Sequence, residues 1–351
     1  MTEKKQRSDR YSSSGLTEWV TRTFDRAGVS GEDAAQTAEI LVRTSLRGID
    51  THGVSRVPMY IDKVLSGEVN GQPRRTSEFR DGVLYYDGDG GIGQAVGASA
   101  VAAAVSAAQD KSVVPCVISR SGHLAAIGMF ALLAAEAEMM AVLCQETPPL
   151  MAPVGSSRAA IGNNPIAFSL PMGARPPLVF DMATSVVARG SVLDAVREQR
   201  QIPEHWAIGP DGLPTTDPAT ALRGSMLPVA GHKGVGLAML VQALAGSLSG
   251  SMSAASAATY GAQSSAGNVS AFLLVINPDR MVGREAFAAH VADWVSTYQL
   301  AAGPDARYPG ERAGQCEQER RAAGIPIPAP LAEELRATGD KVSSPFRLSP
   351  L

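Results

Sequence analysis

Apolar residues recur at helical spacing over two early stretches, near 15–28 and 31–47, and predict a pair of amphipathic helices. Ser30 is placed to cap the second, with Asp33 supplying an acid in its first turn. Another helix restarts after Gly53, near 56–66. From Thr76 to Tyr86 the residues read as extended. They end at the glycine-rich turn Asp87-Gly88-Asp89-Gly90-Gly91, and an Ala/Val-rich helix follows over about 94–110. The middle of the chain then alternates in type. Unbroken apolar runs at Val113–Ser119 and Ala141–Gln145 predict buried strands, with a helix near 125–138 between them. Extended segments at 165–170 and 178–181 precede a helix near 185–199, and another helix opens after Gly231-His232-Lys233-Gly234. Residues 250–267, rich in Ser, Ala and Gly, read as a long mobile loop, and Ala271–Ile276 as a closing strand. From 284 onward the chain is mainly helical, with Pro-rich joints at 325–330. The polar segment 1–14 reads as a disordered tail and 341–351 as a loose one.

Composition narrows the class. The chain has 351 residues, 45% hydrophobic and 19% charged, enough to bury a large core. A net charge of -3 gives no electrostatic reason to expect nucleic acid or an anionic membrane as partner. Cys116, Cys144 and Cys316 are widely spaced with no CxxC pair, which favours reduced thiols over a disulfide or metal site. The N-terminus lacks the apolar core of a secretion signal, and no uninterrupted apolar run is long enough to span a bilayer, so a cytoplasmic protein is expected.

Chemistry concentrates in Arg47-Gly48-Ile49-Asp50-Thr51-His52-Gly53-Val54-Ser55-Arg56. An imidazole, hydroxyls, a carboxylate and two guanidinium groups lie beside two glycines. Such a cluster can pass a proton to a reacting atom and hold an anion. Other motifs carry a bland reading as well as a functional one. Gly88-x-Gly90-x-x-Gly93 fits the dinucleotide fingerprint literally, yet no acid ends a second strand at the expected distance, which favours a plain tight turn. His52 and His123 lack a partner at i+3 or i+4, so no metal is expected. His205 and His290 have no supporting pattern. His232 and Lys233 open a helix whose amides could hold phosphate or carboxylate, or simply start a glycine-rich helix. His123 lies between Gly122 and Gly128 and could face a ligand or bond a carbonyl. No G-x-S-x-G elbow supports a hydrolase.

Several segments together resemble the type 2 malate/L-lactate dehydrogenase family, which includes ureidoglycolate and sulfolactate dehydrogenases and piperideine-2-carboxylate/pyrroline-2-carboxylate reductases. They are Leu46-Arg47-Gly48-Ile49-Asp50-Thr51-His52-Gly53, Ser119-Arg120-Ser121-Gly122-His123 and Ile161-Gly162-Asn163-Asn164-Pro165-Ile166-Ala167-Phe168. Phe180-Asp181-Met182-Ala183-Thr184-Ser185, Pro214-Thr215-Thr216-Asp217-Pro218, Gly231-His232-Lys233-Gly234-Val235-Gly236-Leu237 and Pro309-Gly310-Glu311-Arg312 complete the series, which spans roughly 15–340.

The resemblance implies an α/β, non-Rossmann NAD(P)-binding fold of the L-sulfolactate/malate dehydrogenase type. It places a mainly helical domain in 15–80 plus 285–340 and the NAD(P)-binding domain in 81–284. It also implies a homodimer and hydride transfer between NAD or NADP and a small carboxylate, either a 2-oxo/2-hydroxy acid or a cyclic 2-imino acid. In that scheme His52 is the proton donor or acceptor, assisted by Thr51 and Ser191. Arg56, Asn163, Arg189 and Gly190 contact substrate. The cofactor would meet His123, Leu124, Ala125, Ala126 and Ile127; Asp181, Met182 and Ala183; His232 and Lys233; and Pro309, Gly310, Glu311 and Arg312.

Three positions depart from the family. Thr51 replaces a serine before the histidine, and Asn163 replaces the threonine of Gly-Thr-Asn-Pro. Ser191 stands where relatives carry lysine or aspartate, and serine supplies neither charge. The alternatives are a relative whose altered site runs a different reaction with bound nicotinamide, or a binding protein that kept the fold.

Overall fold

The computed structural model describes residues 8–250 and 269–351; most of the loop expected at 250–267 lies outside them. The chain opens with β1 (Ser8–Tyr11) and two packed helices, α1 (Ser13–Arg26) and α2 (Gly31–Leu46), each started by a serine cap. Two 3₁₀ turns, Asp50–His52 and Val54–Arg56, lead into α3 (Val57–Leu65). The expected extended stretch is a hairpin, β2 (Thr76–Arg80) and β3 (Val83–Asp87), turning at Asp81-Gly82, both with positive φ. Next come α4 (Gly93–Ala107), β4 (Val113–Ser119), α5 (Gly128–Glu136) and β5 (Met140–Gln145). Short β6 (Pro149–Met151) and β7 (Ile161–Gly162) precede the long hairpin β8 (Ile166–Met172) and β9 (Arg175–Met182).

A small lobe holds α6 (Arg189–Arg197), β10 (Ala207–Ile208), α7 (Pro218–Arg223) and β11 (Ser225–Met226), packed on Val192, Ala195, Ile202 and Met226. The helix α8 (His232–Val241) runs on into a π turn, Gln242–Ser247. The chain ends with β12 (Ala271–Ile276), α9 (Arg284–Ala302), α10 (Glu311–Ala323), β13 (Ile325–Pro328) and α11 (Ala329–Lys341).

The main sheet has the strand order β2-β3-β4-β12-β5-β8-β9. Only its β3–β4 neighbours run parallel; β12 is antiparallel to both β4 and β5. A doubly wound dinucleotide sheet is parallel through its centre, so this architecture is of another kind. Its apolar strands Val113–Ser119, Met140–Gln145 and Ala271–Ile276 are buried against Val96, Val101, Phe130 and Ala134 of α4 and α5. The glycine-rich turn is fully engaged in the fold. The N–H groups of Gly88, Gly90 and Gly91 bond Ser119 O, Arg120 O and Gly88 O, while Arg120 grips Asp87 and Asp89. No backbone donor among these three is left for a phosphate.

The chain ends differ from expectation. Ser8–Tyr11 is not part of a disordered tail but pairs antiparallel with Ile325–Pro328, and Tyr11 is buried. Nor is the tail after 341 loose. Phe346 meets Trp19 edge-on at 4.8 Å, Trp19 Nε1 donates to Ser344 O at 2.9 Å, and the Leu351 N–H donates to Arg10 O at 2.8 Å. Burying those aromatic surfaces is worth more than the polarity of the surrounding residues. The segment 285–308 also departs from the helical layer to which it was assigned. Val291 and Val295 of α9, with Tyr308, pack on Met172 and Leu178 of the sheet. The first helices, α3, β13 and α11 form the helical layer proper around Trp19, Phe24, Leu41 and Tyr60.

Candidate active site

Where α2 ends, Gly53 folds so tightly on Ser45 that the backbone breaks into two 3₁₀ turns before α3. That break brings Thr51, His52 and Arg56 onto one edge. The Thr51 hydroxyl lies 2.8 Å from His52 Nδ1, and Arg56 Nε donates to Thr51 O at 2.5 Å. The start of α6 closes against them. A Cβ on Gly190 would lie 3.0 Å from Arg56 Nη2, 3.2 Å from Thr51 Cβ and 3.6 Å from His52 Cε1, so only glycine lets the helix approach this far.

A second chain of bonds lies beneath. Gln94 Nε2 donates to the Tyr60 hydroxyl at 2.9 Å, and that hydroxyl stands 2.8 Å from His123 Nδ1 and 3.2 Å from His123 O. With Nδ1 as acceptor, the imidazole carries its hydrogen on Nε2. Gln145 fixes the preceding loop, accepting from Leu124 N and donating to Gly122 O.

The electrostatics describe a cleft floor. His52 and His123 keep an accessible side, yet burial among protein atoms dominates their titration. Burial and then the Arg56 charge push His52 down to about 4. Burial, then His52, Arg56 and Lys63, push His123 down to about 3. Both imidazoles are therefore neutral at pH 7. Asp181 is exposed in the same sense, open to solvent on one side while its carboxyl is pushed up to about 6 by burial; one oxygen accepts the Gly128 N–H at the start of α5. Arg56 is half-buried, and among the described residues no carboxylate lies within ion-pair distance of it. A buried cation without a partner is costly, and an arginine fork is suited to a carboxylate.

Other residues singled out by sequence connect to this edge in sequence and by hydrogen bonds. Asn163 O accepts from Thr184 N, and Thr184 O accepts from Val229 N beside Gly234, which ties 163, 181–184 and the start of α8 together. The Asn163 side chain accepts from Thr147 Oγ1 at 3.0 Å. Met182 and Ala183 are half-buried, and His232 and Lys233 stand exposed at the head of α8. Ala125 has a φ of 65° and Ala230 one of 48°, two strained backbones just before α5 and α8. Leu124, Ala126 and Ile127 point into the core. Pro309 O accepts from Val179 N on β9, while Glu311 spends its carboxylate on Tyr308 N and the Gln299 amide. Ser191 and Arg189 sit at the start of α6, and the Ser191 hydroxyl bonds no described residue. Tyr60 and Gln94 were not read from the sequence; Tyr60 follows Arg56 by one helical turn, a spacing that could have flagged it. No group of three metal-ligating side chains is present among the described residues.

The family described as malate/L-lactate dehydrogenase matches residues 11–336 of this chain. Malate dehydrogenase of Pyrococcus horikoshii is 33% identical over 345 residues, covering 93% of this chain and 94% of that one. Delta(1)-pyrroline-2-carboxylate reductase of Ancylobacter novellus is 32% identical over 323 residues, covering 92% and 95%. The crystal structure of delta1-piperideine-2-carboxylate reductase from Pseudomonas syringae pvar. tomato superposes with a TM-score of 0.86 at 30% identity, covering 94% of this chain and 100% of that one. The chain belongs to the malate/L-lactate dehydrogenase family, and it is an enzyme of the dehydrogenase or reductase kind.

Proposed function

We propose that this enzyme moves a hydride between NAD or NADP and a small carboxylate, a 2-oxo/2-hydroxy acid or a cyclic 2-imino acid, with His52 exchanging the proton. The observation that carries this reading is Arg56, a half-buried guanidinium with no acid beside it, one short turn from a neutral imidazole. Arg56 holds the substrate carboxylate by its free Nη donors. His52, kept neutral by burial, is in the state that accepts a proton from a hydroxyl; Thr51 orients its ring through Nδ1. Asn163, Arg189, Gly190 and Ser191 complete the substrate wall.

The donor set suits a nicotinamide dinucleotide. His123 offers an uncharged N–H, fit for an amide or a hydroxyl, and Asp181 an accessible acceptor for sugar hydroxyls. Leu124 to Ile127, Met182 and Ala183 form apolar walls, His232 and Lys233 provide the α8 amides and a cation for phosphate, and Pro309 to Arg312 close the far side. The bound nicotinamide supplies or takes the hydride. A homodimer is favoured by Leu237, Met239 and Leu240, exposed apolar residues on α8, and sedimentation measures it. A cytoplasmic location suits the chemistry, and no described helix is long and apolar enough to cross a membrane.

Fluorescence titration with NADH and NADPH, followed by cofactor absorbance with a panel of 2-oxo acids and cyclic imines, tests the reading. Tight cofactor binding without turnover of any of them would favour a binding protein instead.

A further inference from the structure

The stripe of α6 that meets the His52–Arg56 edge carries a charge of the opposite sign. Gly190, Asp194 and Arg197 are spaced i, i+4, i+7 and so share one face of the helix. Val192 and Ala195 face the other way, buried in the small lobe. Gly190 touches Arg56 Nη2, and Asp194 follows it by one turn along the same face. Its carboxylate is half-buried and hydrogen-bonds no cation; the nearest, Arg197 Nη1, is 3.6 Å away and shares its other nitrogen with Glu334. The fields of Asp194 and Arg56 reach each other without the two groups forming an ion pair. A cation and an anion thus face one cleft with room between them, while both imidazoles there are neutral.

We propose that Asp194 is a specificity-determining residue: with Arg56 it makes the cleft a receptor for a zwitterion, so that a protonated cyclic 2-imino acid is preferred over an uncharged 2-oxo acid. This rests on the function proposed above and selects within it. Arg56 takes the carboxylate, and Asp194 balances the positive charge that the iminium nitrogen brings. Proton accounting agrees. In reduction, hydride from the reduced nicotinamide forms the new C–H bond at C2, the C=N π pair becomes the nitrogen lone pair, and the proton already on nitrogen stays there. No proton from His52 is required in that step. A 2-oxo acid would need one for its developing alkoxide, and His52, titrating near 4, is unloaded at neutral pH.

The test compares two ring carboxylates of one shape, L-proline, which carries a cationic nitrogen, and tetrahydrofuran-2-carboxylate, which carries a neutral oxygen. Calorimetry with either, on enzyme saturated with whichever reduced nicotinamide binds, gives the preference without turnover. Wild type should bind L-proline at least about tenfold more tightly, the scale of one partly screened charge pair. D194N should bring the two within about twofold, and D194E should restore the gap. R197Q should keep or widen it, whereas a merely structural Asp194–Arg197 pairing would make R197Q behave as D194N does. Turnover should follow, with D194N losing kcat/KM on Δ1-pyrroline-2-carboxylate and not on pyruvate. Equal binding of the two ligands by wild type, or an unchanged preference in D194N, overturns the assignment while leaving Arg56 as the carboxylate clamp. Binding of neither ligand, with no oxo acid or imine turned over, overturns the proposed function as well.

Discussion

Arg47 and Arg56 stand nine residues apart in one short segment, and the fold treats them in opposite ways. Arg47 is buried against Glu317 at 2.9 Å, in a cluster where Glu317 also takes Arg43 at 3.0 Å and Arg321 at 2.6 Å. Those charges hold Glu317 below the usual carboxylate range against the effect of its own burial. Arg56 is half-buried with no such partner, and burial lowers its guanidinium pKa. The first region is complete in itself and locks α2 to α10. The second is completed only by an anion from outside. Two residues of one type thereby separate a structural charge from a binding charge.

The largest break in that comparison is at the proton-exchanging group. His52→Ala should lower turnover by about 10²–10⁴-fold, the usual scale of a general acid or base, while NAD(P)H still binds. Steady-state kinetics beside a fluorescence titration checks it, and unchanged turnover would remove His52 from the mechanism. Next comes the self-sufficient region. Glu317→Ala strands Arg47 and should cost about 3 kcal/mol or more in stability, read by chemical denaturation, with KM little changed in what remains folded. A loss below ~1 kcal/mol would mean water replaces the carboxylate there. Arg56→Ala should do the reverse. It should raise KM for the carboxylate substrate by about 10–100-fold, the worth of a charged hydrogen-bonded contact, with stability equal or slightly higher. A fall in stability matching that of Glu317→Ala would erase the distinction drawn here.

The smallest effect is on pH dependence. His52 titrates near 4 in the folded protein against an ordinary 6.5. As pH falls from about 6.5 toward 4, the unfolded chain takes up a proton that the folded one refuses, so stability declines through that window and is unaffected above it. The decline should be shallower in His52→Ala, and parallel curves for the two proteins would count against a buried neutral imidazole.

How much of this was legible follows from where each signal resides. The buried strands Val113–Ser119 and Ala271–Ile276 announced themselves because their apolar runs are local. His52 and Arg56 were legible because their chemistry is crowded into one segment. The order β4-β12-β5 was not, since nothing in the local residues of β12 specifies which strands it separates. The ends misled for a related reason. Tyr11 and Phe346 are single aromatics in polar surroundings, and their partner, Trp19, makes them an anchor only in three dimensions. Asp194 was passed over because a charged residue on an amphipathic helix looks like solvated surface until Gly190 reveals which face is turned inward.

The central position of β12 also governs how the chain can be made. Residues 271–276 fill the gap between strands that end by 119 and 145, and β1 finds its partner only at 325–328. A chain emerging from the ribosome therefore presents β4 and β5 with unsatisfied edges for more than a hundred residues of synthesis. Such non-local pairing slows folding and exposes sticky edges to other chains. Fragments ending before residue 271 should be insoluble rather than stable half-proteins, and production of the intact enzyme should respond strongly to growth temperature and to chaperones that shield strand edges.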